Sequence, residues 1–308
     1  MGKIALIIGV GGFVGPYLEQ ELSVNGYSVF GCGILSEELE RRNNYYSTDI
    51  TQYDEILNVF ESLKPDVVFN LAAVSSVGLS WKKPQMTINV NVIGTVNILE
   101  AAAKVCPDAK IVLIGSSEEY APSDKPVSEN SPLDPVNPYG ITRLAIEEFA
   151  KVYRGEHKLN ITCVRAFNHT GLGQTDTFVL PSFIDQAALI TLSQKAGKIR
   201  VGNLEAYRDF SDVRDVVKAY RLIAECEQEL KVVNVGSGQA HQLHQLLEYI
   251  VSLSDQKIEI EIDPERFRPA DLPYCCCDNT LLKNATGWAP EHDIFSTLQA
   301  MYEAALIR

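Results

Sequence analysis

The stretch KIALIIGVGGFVG, from Lys3 to Gly15, decides the fold of this chain. Residues 3–8 form a short and almost wholly apolar run, a pattern typical of a strand buried on both faces of a parallel sheet. A glycine loop follows directly, and residues 13–25 predict a helix whose apolar side chains lie mostly on one face. A strand, a glycine loop and a helix in this order predict a phosphate-binding site at the helix N-terminus.

Each glycine of this loop has an expected task in binding a dinucleotide. Gly9 allows the tight turn, Gly12 lets a pyrophosphate approach the backbone, and Gly15 lets the helix pack close to the strand. The spacing is Gly-x-x-Gly-x-x-Gly, which differs from the more familiar Gly-x-Gly-x-x-Gly. An ordinary turn between a strand and a helix is the alternative interpretation of the loop alone.

The composition excludes several classes of protein. The chain has 308 residues and a formal net charge of −13, which argues against nonspecific binding of nucleic acid. No apolar stretch is long enough to span a membrane, and no signal peptide is evident, so we expect a cytoplasmic protein without membrane contact. Its seven cysteines are scattered without a Cys-x-x-Cys pair, which predicts free thiols and no metal site.

The rest of the chain alternates between predicted strands and helices. Strands are expected at residues 28–32, 44–47, 67–73, 110–115 and 161–165, helices at 52–62, 86–105 and 139–157, and loops at 74–84 and 120–138. This alternation predicts an α/β fold with a doubly wound parallel Rossmann sheet. After residue 166 the pattern becomes irregular. We therefore predict a dinucleotide-binding domain at 1–165 plus 213–235, and a smaller interleaved α/β substrate lobe at 166–212 plus 236–308.

The end of the second strand bears on the choice of cofactor. NAD-binding folds often place an acidic residue there to bind the ribose hydroxyls, but the chain has Gly31, Cys32, Gly33 and Ile34 instead. The missing acid favours NADPH over NADH. Arg41 and Arg42 could contact a 2′-phosphate, and they could equally belong to a solvated helix end.

Three polar side chains suggest the chemistry. Ser116 follows a predicted central strand, at the edge of the sheet where open α/β folds bind their ligands. Tyr139 and Arg143 are four residues apart at the start of a helix and so share one face. A cation beside a tyrosine favours the transfer of its proton, while a serine hydroxyl can hold the substrate oxygen. Together with a hydride-donating cofactor, these residues predict an oxidoreductase.

These residues and several longer motifs resemble the extended short-chain dehydrogenase/reductase family over nearly the whole chain. More specific motifs resemble the branch that acts on GDP-mannose derivatives, which contains 4,6-dehydratases and a 4-keto-6-deoxymannose reductase. They are residues 115–120 (GSSEEY), 167–171 (FNHTG), 202–210 (GNLEAYRDF) and 268–271 (RPAD). The likeness to the reductase is greater, both in residues 116–120 (SSEEY) and in overall length. The segment after the second strand also lacks the arginines usual in the dehydratase.

The resemblance implies a function and a set of site residues. The implied reaction reduces GDP-4-dehydro-6-deoxy-D-mannose to GDP-D-rhamnose by hydride transfer from NAD(P)H to C4. The implied catalytic residues are Ser116, Tyr139, Arg143 and Glu118. The implied cofactor contacts are Gly9, Gly12, Phe13, Val14, Gly15, Asp49, Ile50, Leu71, Ala72, Ala73, Tyr139 and Arg143. The implied contacts with the GDP-sugar are Ser117, Asn168, Val179, Asn203, Arg208, Arg268 and Asp271. A homodimer formed by helices 86–105 and 139–157 is also implied.

One residue departs from the family pattern. The family motif is Tyr-x-x-x-Lys, whereas this chain has arginine at position 143. Arginine keeps the positive charge but cannot give up its proton. Arginine at position 143 therefore keeps open a weakly active protein that binds nucleotide sugars. A dehydratase or epimerase acting on a nucleotide sugar is a second alternative to the reductase, implied by the same resemblance.

Overall fold

The chain folds into alternating strands and helices. The structure, a computed structural model, describes residues 2–267 and 272–307. The strands are β1 (Ile4–Ile8), β2 (Ser28–Gly33), β3 (Tyr45–Ser47), β4 (Val67–Asn70), β5 (Lys110–Ile114), β6 (Asn160–Ala166), β7 (Asn168–Thr170), β8 (Gly197–Val201), β9 (Tyr207–Asp212), β10 (Val232–Val235), β11 (Ala240–Gln242), β12 (Ile258–Ile262) and β13 (Tyr274–Cys275). The helices are α1 (Gly15–Val24), α2 (Glu37–Glu40), α3 (Tyr53–Leu63), α4 (Val77–Lys82), α5 (Pro84–Ile88), α6 (Gly94–Val105), α7 (Pro138–Glu156), α8 (Val179–Ser193), α9 (Val213–Glu225), α10 (Leu243–Ser252), α11 (Thr280–Thr286) and α12 (Ile294–Ala305). A π-helical segment, Asn89–Ile93, joins α5 to α6, and 3-10 turns lie at Ser117–Glu119 and Pro264–Arg266.

A large parallel sheet dominates the described part of the chain. Its seven strands follow the order β10-β6-β5-β4-β1-β2-β3, and each neighbouring pair is parallel. This arrangement confirms the predicted doubly wound α/β fold. The strand order reverses between β1 and β4, which is where open α/β sheets form a crevice for their ligands.

The apolar run of β1 is explained by burial on both faces of this sheet. Ala5 and Ile7 pack into the core that contains residues of α1 and α9. Leu6 and Ile8 pack into the opposite core, formed with α3, α6 and α7. All four side chains are fully buried, so neither face of the strand tolerates a polar residue.

The remaining strands form smaller sheets around β9. Strands β11 and β13 flank β9, β7 also pairs with it, and β8 pairs with β12. Helices α8, α10 and α12 enclose a third core. Strand β9 ends at Asp212, which is also the N-cap of α9, so no linker separates the small sheet from that helix. Because β10 pairs with β6 in the large sheet, we propose the same two-part division that the sequence predicts.

Two sequence predictions between residues 74 and 105 require correction. The predicted loop at 74–84 contains α4, whose N-cap Ser76 accepts a hydrogen bond from the Leu79 N–H at 3.2 Å. The predicted single helix at 86–105 begins two residues earlier, with α5, and passes through the π-helical segment. Short helices of this kind depend on their cap and on tertiary packing more than on a 3.6-residue pattern.

In the described ranges, the structure contains no helix that is both long enough and apolar enough to cross a lipid bilayer.

Candidate active site

The glycine loop occupies the point where the order of the large sheet reverses. Gly9 has a φ of +86°, and a Cβ there would lie 2.6 Å from the backbone nitrogen of Ala72. A Cβ on Gly15 would lie 2.0 Å from the carbonyl oxygen of Val10, so α1 starts against the end of β1. At Gly12 a Cβ would have one atom of the described chain within 4 Å, the Gly9 carbonyl oxygen at 3.3 Å. The loop is therefore closed toward the protein and open at Gly12, as close approach of a phosphate requires.

Phe13 and Val14, the next predicted cofactor contacts, are half-buried. The Phe13 ring stacks on His169 with 6.2 Å between centroids and an interplanar angle of 8°. Tyr17, which meets Phe13 edge-on, donates a hydrogen bond to the Leu172 carbonyl at 2.8 Å. Burial lowers the pKa of His169, so its ring stays neutral against Phe13. These contacts fix the glycine loop against the segment that follows β6.

The structure distinguishes the two arginines that follow the second strand. Arg42 forms an ion pair with Glu19 at 2.5 Å, and its guanidinium carbon lies 4.2 Å from the centre of the Tyr45 ring. These contacts hold Arg42 against α1. Arg41 is exposed. Of the two, Arg41 is therefore the candidate for contact with a 2′-phosphate.

Asp49 and Ile50, also predicted to contact the cofactor, shape the turn after β3. The Asp49 carboxylate accepts hydrogen bonds from the backbone N–H and the hydroxyl of Thr51, at 2.9 and 2.8 Å. Ile50 is buried, and a Cβ on Gly94 would lie 2.5 Å from its Cδ1. Gly94 therefore allows α6 to pack closely against this turn.

The half-buried segment Leu71, Ala72 and Ala73 leaves β4 directly beside the glycine loop. Leu71 donates its backbone N–H to the Ile8 carbonyl at 2.8 Å, and Ala72 lies against Gly9. The small side chains of Ala72 and Ala73 suit the approach of a flat ring to this edge of the sheet. Cofactor contact of all three residues stays a prediction.

Asn91, in the π-helical segment, connects the segment that follows β4 to α7, the helix that carries Tyr139. Its buried side chain accepts a hydrogen bond from the Val74 N–H at 2.8 Å and donates one to the Thr142 hydroxyl at 3.0 Å. Sequence reasoning missed this residue, because an asparagine within an apolar helical stretch gives no signal of its partners. A π-helical turn, which often occurs at functional sites, becomes visible only in the structure.

Ser116 lies directly after the central strand β5 and is buried. Its hydroxyl oxygen accepts a hydrogen bond from the Glu118 N–H at 3.2 Å, and its own N–H donates to Glu119 Oε1 at 2.7 Å. Ser117, the predicted substrate contact, is buried in the same 3-10 turn. The turn thus presents two buried hydroxyls at the carboxyl edge of the sheet.

Asn137 joins this turn to α7. Its side-chain oxygen caps the helix by accepting from the Gly140 N–H at 2.9 Å, and its side-chain nitrogen donates to Glu118 Oε2 at 2.8 Å. A Cβ on Gly140 would lie 2.2 Å from the Glu118 carbonyl oxygen, so the helix and the turn are in close contact. Asn137 was also missed, although asparagine before proline at a helix start is a recognisable cap signal.

Tyr139 and Arg143 are both buried on the first turns of α7. The guanidinium carbon of Arg143 lies 5.1 Å from the centre of the Tyr139 ring. Among the described residues, Arg143 Nε has no hydrogen-bond partner, nor has the hydroxyl of fully buried Tyr220. A buried donor without a partner is costly, so a polar ligand beside Arg143 would satisfy it. With the open face of the glycine loop, this donor fits a bound dinucleotide.

The predicted substrate residues lie on the smaller sheets and on α8. Asn168 is half-buried on β7, opposite Phe210 of β9, and Val179 is the half-buried first residue of α8. Asn203 accepts a hydrogen bond from the Glu205 N–H at 3.0 Å. Arg208, on β9, donates to the Tyr207 carbonyl at 2.8 Å. Predicted contacts at Arg268 and Asp271 lie outside the described residues.

Cys275 shows how the smaller sheet meets the Ser116 turn. It pairs with Arg208 in the register of β13 and β9, and its thiol interacts with the Ser117 side chain. Burial raises the pKa of the Cys275 thiol to about 12, so the thiol stays neutral beside Ser117. No signal in the run of three cysteines indicated this position.

The parallel sheet, the glycine loop, and the Ser116, Tyr139 and Arg143 side chains at one sheet edge define an oxidoreductase of the short-chain dehydrogenase/reductase class. Comparison with known proteins makes the assignment more specific. The sequence model of the GDP-mannose 4,6 dehydratase family matches residues 6–301. The chain therefore belongs to this family, as the sequence motifs indicate.

Relatives in the family carry out more than one reaction. The chain is 30% identical to GDP-6-deoxy-D-mannose reductase of Pseudomonas aeruginosa, covering 98% of this chain and 96% of that protein. It is 29% identical to GDP-mannose 4,6 dehydratase 2 of Arabidopsis thaliana, covering 94% and 83% respectively. The structure of RMD from Pseudomonas aeruginosa complexed with NADPH superposes with a TM-score of 0.87 at 28% identity, covering 100% of this chain and 99% of that one.

Proposed function

We propose that the protein reduces the C4 carbonyl of GDP-4-dehydro-6-deoxy-D-mannose to give GDP-D-rhamnose, with NADPH as the preferred hydride donor. The observation that carries the proposal is the unpartnered Arg143 Nε, buried beside the Tyr139 ring at the cofactor edge of the sheet. The similarity to the reductase of Pseudomonas aeruginosa over almost the whole chain supports this reaction.

Ser116 and Tyr139 act on the carbonyl oxygen in the proposed reaction. When bound, the reduced nicotinamide supplies a hydride to C4, and negative charge develops on the oxygen. The Ser116 hydroxyl donates a hydrogen bond to this oxygen, and the Tyr139 hydroxyl gives it a proton. Arg143 compensates the charge left on the tyrosine and binds the ribose next to the nicotinamide.

The preference for NADPH rests on the exit of β2. Gly33 ends the strand and the exposed Ile34 follows, so this exit offers no carboxylate to a ribose 2′-hydroxyl. Arg41 is the cation proposed to meet the 2′-phosphate. That the solved structure of RMD contains NADPH supports the choice.

Binding of the GDP moiety is assigned to the smaller lobe. Asn168 and Arg208 lie on paired strands, and Asn203 precedes β9. With Val179 and Ser117 they are proposed to line the nucleotide-sugar site. Arg268 and Asp271 complete the proposed set from the sequence alone. Because the chain carries a net charge of −13, a GDP-sugar needs such local cations and amide donors to bind.

Dehydration of GDP-mannose is the second candidate reaction, and Glu118 is the observation that favours it. This half-buried carboxylate lies two residues after Ser116 and accepts the hydrogen bond of Asn137. A carboxylate next to a sugar C5 or C6 can serve as an acid and base in water elimination. A dehydratase reoxidises its own cofactor, whereas a reductase consumes one reduced cofactor for each product.

A homodimer is proposed through α7 and the helical segment at residues 84–105. Large apolar side chains are exposed on both: Met86, Ile88, Ile93, Ile141, Phe149 and Val152. Exposed apolar clusters of this size mark interaction surfaces. We place the protein in the cytoplasm, where reduced cofactor is available and its free cysteines stay reduced.

The test measures the absorbance of reduced nicotinamide with purified protein, GDP-4-dehydro-6-deoxy-D-mannose, and NADPH or NADH in turn. Steady loss of absorbance matched by formation of GDP-rhamnose supports the reductase and identifies the preferred cofactor. Conversion of GDP-mannose to its 4-keto-6-deoxy derivative without added reductant supports the dehydratase. Binding of both ligands without turnover supports the weakly active binding protein.

A further inference from the structure

Behind Ser116 lies a buried cluster of charged groups that the proposed reaction does not use. Glu119, Glu147 and Arg165 form this cluster, which we call the Glu119 cluster. Glu119 and Arg165 are almost completely buried, with side-chain exposures of 1% and 3%, and Glu147 is 12% exposed. The three residues come from the 3-10 turn after β5, from α7 and from β6.

Arg165 forms its main ion pair with Glu147. Its Nη2 lies 2.6 Å from Glu147 Oε1 and its Nε 3.0 Å from Glu147 Oε2, a two-point ion pair. Its remaining nitrogen, Nη1, donates to the Tyr120 hydroxyl and to the Glu129 carbonyl, both at 3.0 Å. Glu119 is left with a longer contact, 3.7 Å from its Oε2 to Arg165 Nε.

This arrangement leaves one carboxyl oxygen without a donor. Glu119 Oε2 is buried and has no hydrogen-bond partner among the described residues. It faces the same Arg165 Nε as Glu147 Oε2, at 3.7 and 3.0 Å respectively, and the Glu147 side chain favours its protonation. Two carboxylates facing one guanidinium carry one negative charge too many for a buried site. A proton shared between Glu119 and Glu147 satisfies both the charge balance and the unpartnered oxygen.

The surroundings favour protonation of Glu119 rather than its ionisation. Burial and the neighbouring Glu147 charge raise the pKa of Glu119 to about 8, against the opposing effects of the Ser116 N–H and Arg165. The other titratable groups packed nearby are Tyr120 and Cys163. Burial raises the pKa values of both well above neutrality, so neither supplies a compensating charge.

Glu119 is coupled directly to the proposed catalytic turn. Its Oε1 accepts the Ser116 backbone N–H at 2.7 Å, and a Cβ on Gly115 would lie 2.4 Å from the same oxygen. We propose that Glu119 is a positioning residue whose neutral form, held by Glu147, sets the orientation of Ser116 for reduction, and whose ionisation weakens the reaction. The inference rests on the proposed function of Ser116.

The physical basis is the charge that develops during hydride transfer. The carbonyl oxygen bound by the Ser116 hydroxyl becomes negative in the transition state. A carboxylate bonded to the same serine, in a site with little water, opposes that charge. The neutral acid accepts the same N–H hydrogen bond without this penalty. The rate of hydride transfer should therefore fall as Glu119 loses its proton.

Three variants test the inference. Glu119→Gln keeps an acceptor for the Ser116 N–H and removes the titration. Glu147→Gln leaves Arg165 with a single carboxylate and should move the titration of Glu119 to lower pH. Glu148→Gln, on the exposed side of α7, is the matched control, since its carboxylate only pairs at 3.5 Å with Lys151.

The first readout needs no turnover. In protein labelled with nitrogen-15 serine, the Ser116 amide resonance is identified by its loss in Ser116→Ala and followed between about pH 6.5 and 9.5. We expect a titration near pH 8 in the wild type and in Glu148→Gln, none in Glu119→Gln, and a midpoint at least about one unit lower in Glu147→Gln.

The second readout is the pH dependence of kcat. In the wild type kcat should fall as pH rises through the midpoint and then level off, and this fall should be at least about threefold smaller in Glu119→Gln. A Ser116 amide that does not titrate, a titration that persists in Glu119→Gln, or an unchanged pH profile of kcat in that variant overturns the inference. Should Glu119→Gln not fold, an unmoved midpoint in Glu147→Gln overturns it equally. Absence of turnover would count against the proposed function alone, because the amide titration still decides the role of Glu119.

Discussion

Replacement of Gly9 by alanine tests the glycine loop against a matched control. Gly9 and Gly26 have almost the same φ, +86° and +85°. A non-glycine residue in this region costs about 1–2 kcal/mol at either position. The positions differ in space: a Cβ at Gly26 meets no atom of the described residues within 4 Å, whereas one at Gly9 lies 2.6 and 2.8 Å from backbone atoms of Ala72. Forcing a methyl group into such a contact adds about 1–3 kcal/mol.

Gly9→Ala should therefore lower the free energy of unfolding by about 2–5 kcal/mol, and Gly26→Ala by about 1–2 kcal/mol. Displacement of Ala72 also disturbs two predicted cofactor contacts at once. We expect the Kd of NADPH, measured from the fluorescence of the reduced nicotinamide, to rise at least about tenfold in Gly9→Ala and to change less than about twofold in Gly26→Ala.

Urea denaturation of both variants gives the free energies, and titration with NADPH at a temperature where both are folded gives the affinities. Equal losses of stability would show that the contact with Ala72 relaxes without cost. Equal affinities for NADPH would show that the glycine loop does not hold the cofactor, and the assignment of this site would then be wrong.

Three further changes probe other parts of the protein. Arg143→Met should lower kcat at least about a hundredfold, because no cation then faces Tyr139, whereas Arg143→Lys should keep most of the wild-type kcat. An equal loss of kcat in both variants would contradict a role for the charge. Ile141→Glu should convert the proposed dimer to a monomer in light scattering, and an unchanged mass would refute the α7 interface. In urea denaturation, the free energy of unfolding of Glu119→Gln should rise relative to that of the wild type as pH increases. The pKa of Glu119 is raised from 4.5 to about 8 in the folded state, so its contribution to wild-type stability is fully present below about pH 4.5 and is lost as pH rises through about 8. This relative gain should reach a few kcal/mol at about pH 9. If the free energies of unfolding of the variant and the wild type differ by the same amount at about pH 5 and at about pH 9, a raised pKa of Glu119 is excluded.

Much of the fold follows from local patterns in the sequence. The run from Ile4 to Ile8 is apolar because both faces of β1 are covered, and the glycines at 9 and 15 follow from contacts within one strand-loop-helix unit. Helix α4 escaped prediction because its six residues carry no clear period and its cap, Ser76, is a single side chain. Local patterns therefore predict the long buried elements better than the short ones.

Placement of the site residues depends on contacts that join distant parts of the chain. Tyr139 and Arg143 share a helix face, which their spacing of four residues predicts. The hydrogen bond between Asn137 and Glu118 and the ion pair between Glu119 and Arg165 join separate elements. No spacing rule connects such residues, since only the packing of α7 and β6 around the Ser116 turn brings them together. The sequence therefore predicts which side chains are candidates for the chemistry, but not the contacts that hold them in place.

The direct junction of β9 and α9 at Asp212 restricts how the protein can open. This buried carboxylate receives the Arg214 N–H at 2.8 Å and the hydroxyl of Thr297, from α12, at 2.7 Å. No linker residue separates β9 from α9, and the Asp212 side chain also binds α12. The junction is therefore rigid and does not act as a hinge. Large rotation of the small sheet against α9 is therefore resisted at this point. In the proposed reductase reaction the spent cofactor must leave in every cycle, and it would leave through movement of surface loops and not through rotation at this junction.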